Sequence, residues 1–326
     1  MLKIFGTMGP SCFEEEIIQK MFEMDMTGMR LNLSHINLVD CKEWTHNFYQ
    51  AAKKAGVIPE LLIDMKGPEL RLSRSLKCMQ LEEGEVVNKD IFDFPEIIDS
   101  YLVENQKVWM DDGKIRLICL KNNQLKVQNG GLLKPGKSIA LPGCDIIPPT
   151  LTQEDYGNLA YAKECGVTGI MQPFVRSKED LIIVRNALNE NGLEDCKIYA
   201  KIENRVGVEQ LESFLPYCDE IIIARGDLAN SVGIENIASC QHYIEQVLKK
   251  YKFPYMVVTE MLNSMCDNKT PTRAEVSDIY HAVYNGASSI MLTAETAAGK
   301  YPIEAMYYFT SIAKTALKDK GQGTEI

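Results

Sequence analysis

The chain has 326 residues, of which 45% are hydrophobic and 25% are charged, as in an ordinary globular protein long enough for one large domain or a barrel with an insertion. The formal net charge is −10 and there is no basic tract, which argues against nucleic acid or an anionic membrane as the main partner. An anionic substrate would therefore need a local positive pocket or a metal ion.

Residues 1–69 alternate short apolar runs with helical patterns. The runs predicted as strands are Leu2–Met8, Gly28–His35 and Leu61–Lys66. Ser11, followed by Glu14, has the spacing of a capping box and predicts the start of the first helix. A second helical pattern extends from about Val39 to Lys54. This segment therefore consists of strand–helix units, as in an α/β fold.

Residues 70–148 have a different pattern. Short alternating runs, such as Lys114–Leu120, are separated by turn dipeptides. The turn dipeptides are Asp112-Gly113, Gly130-Gly131 and Pro135-Gly136. The segment is therefore predicted to be an all-β domain, inserted after the third strand of the surrounding fold.

The strand–helix alternation returns in residues 149–326. Five further strands are predicted at Val167–Val175, Cys196–Glu203, Asp219–Arg225, Pro254–Met261 and Gly286–Thr293. Helices are predicted from Thr152, from Ser177, from Glu203 to Leu215, from Ile237 to Tyr251, from Thr272 and from Pro302. Eight strand–helix units predict an α/β fold of the (β/α)8 TIM barrel type, with residues 1–69 and 149–326 in the barrel and residues 70–148 in the inserted domain. An open doubly wound sheet is the alternative, which the number of repeats disfavours.

Two successive strands in the second half of the barrel end in charged residues that could meet in one place. Lys201 and Glu203 are two residues apart in the fifth strand, so their side chains point to the same face. The sixth strand ends at Arg225, followed by Gly226 and Asp227. If the two strands are parallel neighbours, two carboxylates could hold a hard divalent cation and the lysine could hold an anion against it. The alternative explanation is that these are solvated charges at strand ends.

Polar residues occupy most of the other predicted strand ends as well. In strand order, the polar ends are Arg30, Asn32 and Ser34; Asp64 and Lys66; Phe174–Arg176; Lys201 and Glu203; Arg225 and Asp227; Thr259 and Glu260; and Thr293 and Glu295. TIM barrels carry their active sites at the C-terminal ends of the strands. The sequence therefore predicts a polar pocket at that end of the barrel.

Seven short segments resemble pyruvate kinase, and they occur in the same order as in that family. They are Met29-Arg-Leu-Asn-Leu-Ser-His35, Asp64-Met-Lys-Gly-Pro-Glu-Leu-Arg71, Ala200-Lys-Ile-Glu-Asn204, Ala224-Arg-Gly-Asp-Leu228, Thr259-Glu-Met-Leu262, Pro271-Thr-Arg-Ala-Glu-Val-Ser-Asp278 and Met291-Leu-Thr-Ala-Glu-Thr296. Val108–Gly113 and Leu133–Gly143 are similar to the lid domain of the family. Each segment alone is a weak signal, but together they extend the resemblance over nearly the whole chain.

The resemblance implies a TIM barrel with a β-rich lid, and an enzyme that moves the phosphoryl group of phosphoenolpyruvate to ADP through a metal-bound enolate, giving pyruvate and ATP. It implies that Glu203 and Asp227 bind Mg2+ or Mn2+, and that Lys201 stabilises the transferring phosphoryl group and the enolate oxygen. The residues that would contact phosphoenolpyruvate are Arg30, Lys201, Gly226, Asp227 and Thr259. Among these, Arg30 would hold the phosphate, and Thr259 would lie near the carboxylate or the proton relay.

Two further ligand sets follow from the resemblance. The residues that match the potassium site of the family are Asn32, Ser34, Asp64 and Met65, the last through its carbonyl. Glu69 matches a residue that accompanies potassium dependence. Thr7, Pro10 and His35 match positions where the family binds the nucleotide.

The chain also departs from the family pattern near the nucleotide. Glu154 replaces a lysine that faces the nucleotide in the family, and Glu260 stands where glutamine is usual. These changes leave two alternatives open besides a pyruvate kinase. One is a sibling enzyme that uses the same metal-enolate pocket with a different phosphoryl acceptor or 2-oxo acid. The other is a non-catalytic regulator that binds phosphoenolpyruvate.

Several expectations concern the cell rather than the site. None of the 10 cysteines forms a C-x-x-C pair, and no signal peptide or membrane-spanning run is visible, so we expect a reduced, cytoplasmic protein. The resemblance is to a minimal form without the C-terminal regulatory domain of the family. It leaves assembly into a homo-oligomer open.

Overall fold

The structure is a computed structural model that describes residues 2–68, 70–111, 113–144, 146 and 148–322. Glu69 and Asp112, which were named above, lie outside the described residues. The described chain divides into two compact units, one with residues up to 67 and from 150 onward, and one with residues 68–149. These limits differ by two residues and by one residue from the domain boundaries predicted after residues 69 and 148, which stay predictions.

Eight parallel strands close into a barrel within the first unit. Numbered along the whole chain, the strands are β1 (Lys3–Thr7), β2 (Gly28–Asn32), β3 (Glu60–Asp64), β4 (Met79–Leu81), β5 (Val86–Asn88), β6 (Lys107–Met110), β7 (Ile115–Cys119), β8 (Gln124–Asn129), β9 (Gly131–Leu133), β10 (Ile139–Ala140), β11 (Gly169–Gln172), β12 (Lys197–Ile202), β13 (Glu220–Ala224), β14 (Tyr255–Val258) and β15 (Ser289–Met291). The barrel consists of β1 to β3 and β11 to β15, and β15 pairs with β1 to close it. This closure confirms the predicted TIM barrel and excludes the open sheet.

The barrel strands are buried on both faces, as expected for parallel strands covered by helices. Large apolar side chains, among them Phe5, Leu62, Tyr199 and Ile222, form one cluster. A larger apolar cluster contains buried residues of the barrel strands and of the helices around them.

The helices follow the strands as the alternation predicts. They are α1 (Glu15–Phe22), α2 (Lys42–Ala55), α3 (Gln153–Ala162), α4 (Lys178–Glu190), α5 (Arg205–Glu209), α6 (Leu211–Phe214), α7 (Arg225–Val232), α8 (Ile237–Lys250), α9 (Arg273–Asn285), α10 (Ala294–Ala297) and α11 (Pro302–Gln322). Over the described part of the chain, no helix has both the length and the apolar character needed to cross a membrane.

Capping boxes fix some of the helix starts. The Thr152 hydroxyl accepts from the Asp155 N–H at 3.1 Å, and the Asp155 carboxylate accepts from the Thr152 N–H at 2.8 Å. The predicted box at Thr272 is also present and begins α9. The box predicted at Ser11 is wrong, because residues 9–12 form a turn in which the Cys12 N–H donates to the Gly9 carbonyl, and α1 begins only at Glu15.

Three helical segments differ from the prediction, and one of them, the four-residue helix α10, was not predicted. The helix expected as far as Leu215 is divided at Gln210 into the short helices α5 and α6. The helix α7, which begins directly after β13, was not predicted. Its sequence, Arg-Gly-Asp-Leu-Ala-Asn-Ser-Val, contains several weak helix formers, so propensity alone does not reveal it.

The second unit is all-β, as predicted. It contains an antiparallel five-stranded sheet of order β10-β6-β7-β8-β5 and an antiparallel pair of β4 and β9. Buried and more exposed residues alternate along β7, so one face of the sheet packs on an apolar core of its own that includes Val108, Leu117 and Val127.

Candidate active site

A cavity of about 620 Å³ lies at the C-terminal ends of the barrel strands. The last residues of six strands line it: Thr7, Asn32, Asp64, Ala224, Val258 and Met291. This is the end of the fold at which TIM barrels carry their active sites. A pocket is therefore present where the strand ends predicted one, and apolar side chains such as Val258 and Met291 line it beside the polar ones.

Most of the candidate site residues line this cavity. Those that do are Thr7, Pro10, Arg30, Asn32, His35, Asp64, Lys201, Glu203, Asp227 and Thr259. Ser34, Met65 and Gly226 are not among its lining residues. Trp44 and Ile36 also line it, and the polar pattern of the strand ends could not have found these apolar side chains.

Lys201 is the centre of a buried ion-pair network. Its ammonium group lies 3.1 Å from Asp64 Oδ2 and 2.9 Å from Glu203 Oε1. Lys201 and Glu203 are on one face of the same extended run, as their spacing predicted. The second Glu203 oxygen accepts from the Phe174 N–H at 2.8 Å, so this carboxylate is fixed by two different strand ends.

Arg30 approaches the same carboxylate from β2. Its Nη2 lies 2.8 Å from Asp64 Oδ2, and its Nη1 donates to the Thr7 hydroxyl at 3.4 Å. The Arg30 Nε is buried and has no hydrogen-bond partner among the described residues. Such an unsatisfied donor has a large desolvation cost, which an anion in the cavity would remove.

The network shifts the titration of both members of the Lys201–Glu203 pair. Burial raises the pKa of Glu203 to about 7; the Lys201 ammonium opposes this shift, and the carboxylates of Asp227 and Asp64 add to it. Burial lowers the pKa of Lys201, but Asp64 and Glu203 outweigh it and leave that pKa above its ordinary value. The lysine is therefore positively charged at neutral pH, beside a surplus of carboxylate.

Gly226 and Asp227 lie in the first turn of α7, which begins at Arg225. Backbone N–H groups in the first turn of a helix have no intrahelical acceptor. The Asp227 side chain lines the cavity. This turn can therefore offer both a carboxylate and backbone donors to a ligand.

The carboxylates Glu203 and Asp227 fit a hard divalent cation. Magnesium sites usually take one or two protein carboxylates and complete their octahedron with water and substrate phosphates. No group of three or more histidine, cysteine, aspartate or glutamate side chains with metal-binding spacing occurs among the described residues. The pair therefore suits Mg2+ or Mn2+ better than a zinc ion, which takes three or four protein ligands.

The residues matched to the potassium site lie on or next to the paired strands β2 and β3. Asn32 and Asp64 are direct partners in the register of β2 and β3. The Asn32 side-chain oxygen accepts from the Ser34 N–H at 3.1 Å, while the Met65 side chain is buried in the core. This donor set offers oxygen ligands, the type that hard cations prefer. Both Asp64 oxygens also contact Lys201, so a cation there would share this carboxylate.

Several polar strand ends do not line the cavity and have other partners. Lys66 pairs with Glu154 at 2.8 Å, Arg176 with Asp180 at 2.8 Å and Arg225 with Asp278 at 2.7 Å. The buried carboxylate of Glu295 accepts from the backbone N–H groups of Leu262 and Thr293. For these residues the expectation of a pocket position was wrong, because neighbouring loops and helices supply opposite charges or donors that the strand pattern does not reveal.

Comparison with known proteins points to one family. A family model described as "Pyruvate kinase, barrel domain" matches residues 1–306. The chain is 32% identical to a pyruvate kinase of Chlamydia pneumoniae over 95% of this chain and 67% of that protein, and 33% identical to one of Borreliella burgdorferi over 98% and 69%. It is 31% identical to a pyruvate kinase of Clostridium perfringens over 96% of this chain and 70% of that protein. The chain thus spans about two thirds of the length of these relatives.

Proposed function

The chain belongs to the pyruvate kinase family, and from this premise we propose that it moves the phosphoryl group of phosphoenolpyruvate to ADP, giving pyruvate and ATP. It is a phosphotransferase, and its relatives in several bacteria are all named pyruvate kinase. This agreement does not favour the two alternatives, a sibling enzyme with another acceptor and a non-catalytic regulator.

Phosphoryl transfer needs neutralisation and alignment of charge more than covalent chemistry by the protein. We assign this work to Lys201 and Arg30, which are the two cations lining the cavity in the described part of the chain. Arg30 would hold the phosphate through its unpartnered Nε, and Lys201 would face the transferring group and the enolate oxygen. Preorganised charges of this kind, in a site shielded from water, are each worth about 3–4 kcal/mol to the transition state.

Glu203 and Asp227 would hold Mg2+ or Mn2+, which when bound supplies a positive charge that polarises the phosphoryl and enolate oxygens. Without that charge, these two carboxylates and Asp64 would repel an anionic substrate. Holding the cation is therefore the role in which the surplus negative charge of the cavity helps the reaction instead of opposing it.

After transfer, the enolate must gain a proton at carbon to become pyruvate. Thr259 lines the cavity and carries a hydroxyl that can accept and donate a proton in a relay. We propose that it holds the substrate carboxylate or a relay water on that side. The backbone N–H groups of Gly226 and Asp227 would orient the substrate from the first turn of α7.

The remaining assignments are proposals of the same kind. K+ would bind to Asn32, Ser34, Asp64 and the Met65 carbonyl, and ADP would contact Thr7, Pro10 and His35. A cytoplasmic location and a homo-oligomeric assembly also stay proposals.

One observation supports this function above the others: the ammonium of Lys201 lies 2.9 Å from Glu203 on the wall of a cavity that Arg30 and Asp227 also line. Cations and surplus carboxylates that converge on one cavity suit a substrate that carries a phosphate and is bound with a metal ion. A pocket that only bound an apolar ligand would not need them.

The direct test is to measure pyruvate formation from phosphoenolpyruvate in a coupled assay, omitting ADP, Mg2+ or K+ in turn. We expect turnover only with ADP and the divalent cation, and much weaker turnover without K+. Pyruvate release without ADP would identify a different acceptor. Tight binding of phosphoenolpyruvate without turnover under any condition would identify a regulator.

A further inference from the structure

The loop after β14 contains two successive residues with unusual backbone angles. Thr259 has a φ of 78° and Glu260 a φ of 55°, in the left-handed region that residues with a side chain rarely adopt. For a β-branched residue such as threonine this conformation is a genuine outlier and costs free energy. Thr259 lines the cavity, so the strained position is in the site itself.

One side chain holds this strained backbone. Arg225 donates two hydrogen bonds to the Thr259 carbonyl, from Nη2 at 2.7 Å and from Nε at 3.2 Å. The same Nη2 lies 3.0 Å from the Met261 sulfur. The carbonyl belongs to the peptide that joins the two residues of positive φ, so Arg225 fixes the orientation of that peptide.

Arg225 is itself held from outside the cavity. Its Nη1 lies 2.7 Å from the carboxylate of Asp278 in α9, and its side chain is largely buried. A planar guanidinium with acceptors on two sides has little freedom to rotate. The order of contacts is therefore Asp278 to Arg225 to the Thr259 backbone.

The next residue, Gly226, has no side chain at a position where one would crowd the Thr259 side chain. A Cβ atom at Gly226 would lie 3.0 Å from Thr259 Cγ2, closer than ordinary van der Waals contact. Gly226 therefore leaves just enough space for the threonine methyl group. Arg225 and Gly226 together fix the Thr259 carbonyl and limit the movement of its side chain.

We propose that Arg225 is a positioning residue for Thr259. Arg225 does not line the cavity and would make no contact with the substrate. It keeps Thr259 in the left-handed conformation from which the Thr259 hydroxyl would hold the substrate carboxylate or the relay water. This inference rests on the proposed function, because the role of Thr259 does. It assigns a task to a charged strand end that sequence reasoning had placed in the pocket.

The test compares Arg225→Met and Arg225→Lys with the wild-type protein in the coupled assay. Displacement of a reacting group by about 1 Å can lower the rate about 100-fold, so we expect Arg225→Met to lower kcat by about that factor. The KM for phosphoenolpyruvate should change less than about threefold, because Arg30 and the carboxylate pair are untouched. Arg225→Lys keeps the positive charge and one donor group, so its kcat should lie between those of Arg225→Met and the wild type.

Arg185→Met is the matched control. Arg185 also donates to backbone carbonyls, those of Glu194 and Cys196, and pairs with Asp219, but it does not line the cavity. We expect its kcat to stay within about twofold of the wild type, because no strained site residue depends on it. An equal loss of kcat in the two variants, at equal folded fraction, would refute a specific role for Arg225.

Adding Glu260→Gly to Arg225→Met tests the cause. Glycine adopts a positive φ without steric cost, so the kcat of the double variant should be at least about fivefold higher than that of Arg225→Met. No recovery would mean that Arg225 does not act by holding the positive-φ backbone.

A crystal structure of Arg225→Met gives a reading that does not depend on turnover. We expect Thr259 and Glu260 to leave the positive-φ region; unchanged angles would overturn the proposal even if kcat falls. Absence of pyruvate formation in the wild type would contradict the proposed function instead, and the backbone angles would still decide whether Arg225 positions Thr259.

Discussion

Charged side chains occur at both ends of the barrel strands, and the same strands supply them. Lys3, Glu60 and Lys197 lie at the N-terminal ends of β1, β3 and β12. Four residues later, β3 and β12 carry the charged residues Asp64 and Lys201, and β1 carries the uncharged Thr7. The two ends of the barrel are alike in residue composition, since both carry lysine and acidic side chains. Their contacts differ, and the difference separates a stabilising cluster from a binding site.

At the N-terminal end, one carboxylate contacts three donors. Glu60 lies 2.5 Å from the Lys3 ammonium and 3.7 Å from that of Lys197, and it accepts from the Tyr199 hydroxyl at 3.0 Å. The nearby Glu220 accepts from Ser288 at 2.9 Å. The two ammonium groups balance the charge of the two carboxylates, so the cluster needs no charged ligand.

At the C-terminal end, the charges do not balance. Of the described residues that line the cavity, two are cations, Arg30 and Lys201, and three are carboxylates, Asp64, Glu203 and Asp227. A guanidinium N–H of Arg30 lacks a partner in the same place. Surplus carboxylate together with an unsatisfied donor favours the binding of a cation and an anion, which is what a metal-dependent phosphotransferase requires. Unbalanced charge beside a cavity, and not charge itself, therefore marks the candidate site.

The largest expected effect separates two lysines of one strand. Lys201→Met removes the cation that we propose faces the transferring group, and it should lower turnover at least about 1000-fold, at the upper limit for loss of one preorganised donor. Mn2+ binding should be retained, because Glu203 and Asp227 remain. Lys197→Met, four residues earlier, should leave turnover within about twofold, because Lys197 only joins the satisfied cluster.

The measurement is the coupled assay, normalised to folded protein, with Mn2+ affinity followed by electron paramagnetic resonance. Full activity in Lys201→Met would remove the basis of the proposed mechanism. A large loss in Lys197→Met would show that the N-terminal cluster also serves the reaction, and the contrast between the two ends would fail.

The fold and the centre of the site could be predicted from the sequence because both depend on local periodicity. The spacing of Lys201 and Glu203 placed them on one face, and eight strand–helix units indicated the barrel. The partner of Arg225 could not be predicted, because Asp278 comes from α9, a helix whose position depends on tertiary packing. The N-terminal cluster was missed for a similar reason: Lys3, Glu60 and Lys197 meet only through the register of the closed barrel.

An effect of intermediate size is expected on stability. The contributions of Glu203 and Glu60 to the free energy of unfolding should change with pH in opposite directions. Burial raises the folded pKa of Glu203 from its ordinary value of 4.5 to about 7. A raised carboxyl pKa means that the folded state binds the proton more tightly, so this group lowers stability as pH rises from 4.5 to 7. In metal-free protein, the free energy of unfolding of Glu203→Gln should therefore be about 1–3 kcal/mol higher than that of the wild type between pH 5 and 8.

Glu60→Gln should show the reverse. Burial alone would raise the pKa of Glu60, but the hydrogen bond and charge of Lys3, with help from Lys197 and Tyr199, leave it below its ordinary value. Such a group stabilises the fold above its unfolded pKa, and that stability is lost as pH falls through the folded pKa. We expect a loss of about 2 kcal/mol at pH 8, intermediate between exposed and buried ion pairs, that fades below pH 4.

Urea unfolding of both variants and the wild type, in EDTA at pH 4, 5, 7 and 8, measures these differences. Stability losses of the same sign and pH dependence for Glu203→Gln and Glu60→Gln would show that the two ends are energetically alike.

The smallest effect concerns a single hydroxyl in the N-terminal cluster. Tyr199→Phe removes the hydrogen bond to Glu60 while keeping the ring that fills the barrel, so it should lower the free energy of unfolding by about 1 kcal/mol with turnover within about twofold. The matched control is Tyr255→Phe, because the buried Tyr255 hydroxyl has no hydrogen-bond partner among the described residues. Deleting an unsatisfied polar atom should be neutral or stabilising by up to about 1 kcal/mol. The two unfolding curves test whether satisfaction, rather than polarity, decides the contribution of a buried group, and equal losses in both variants would contradict it.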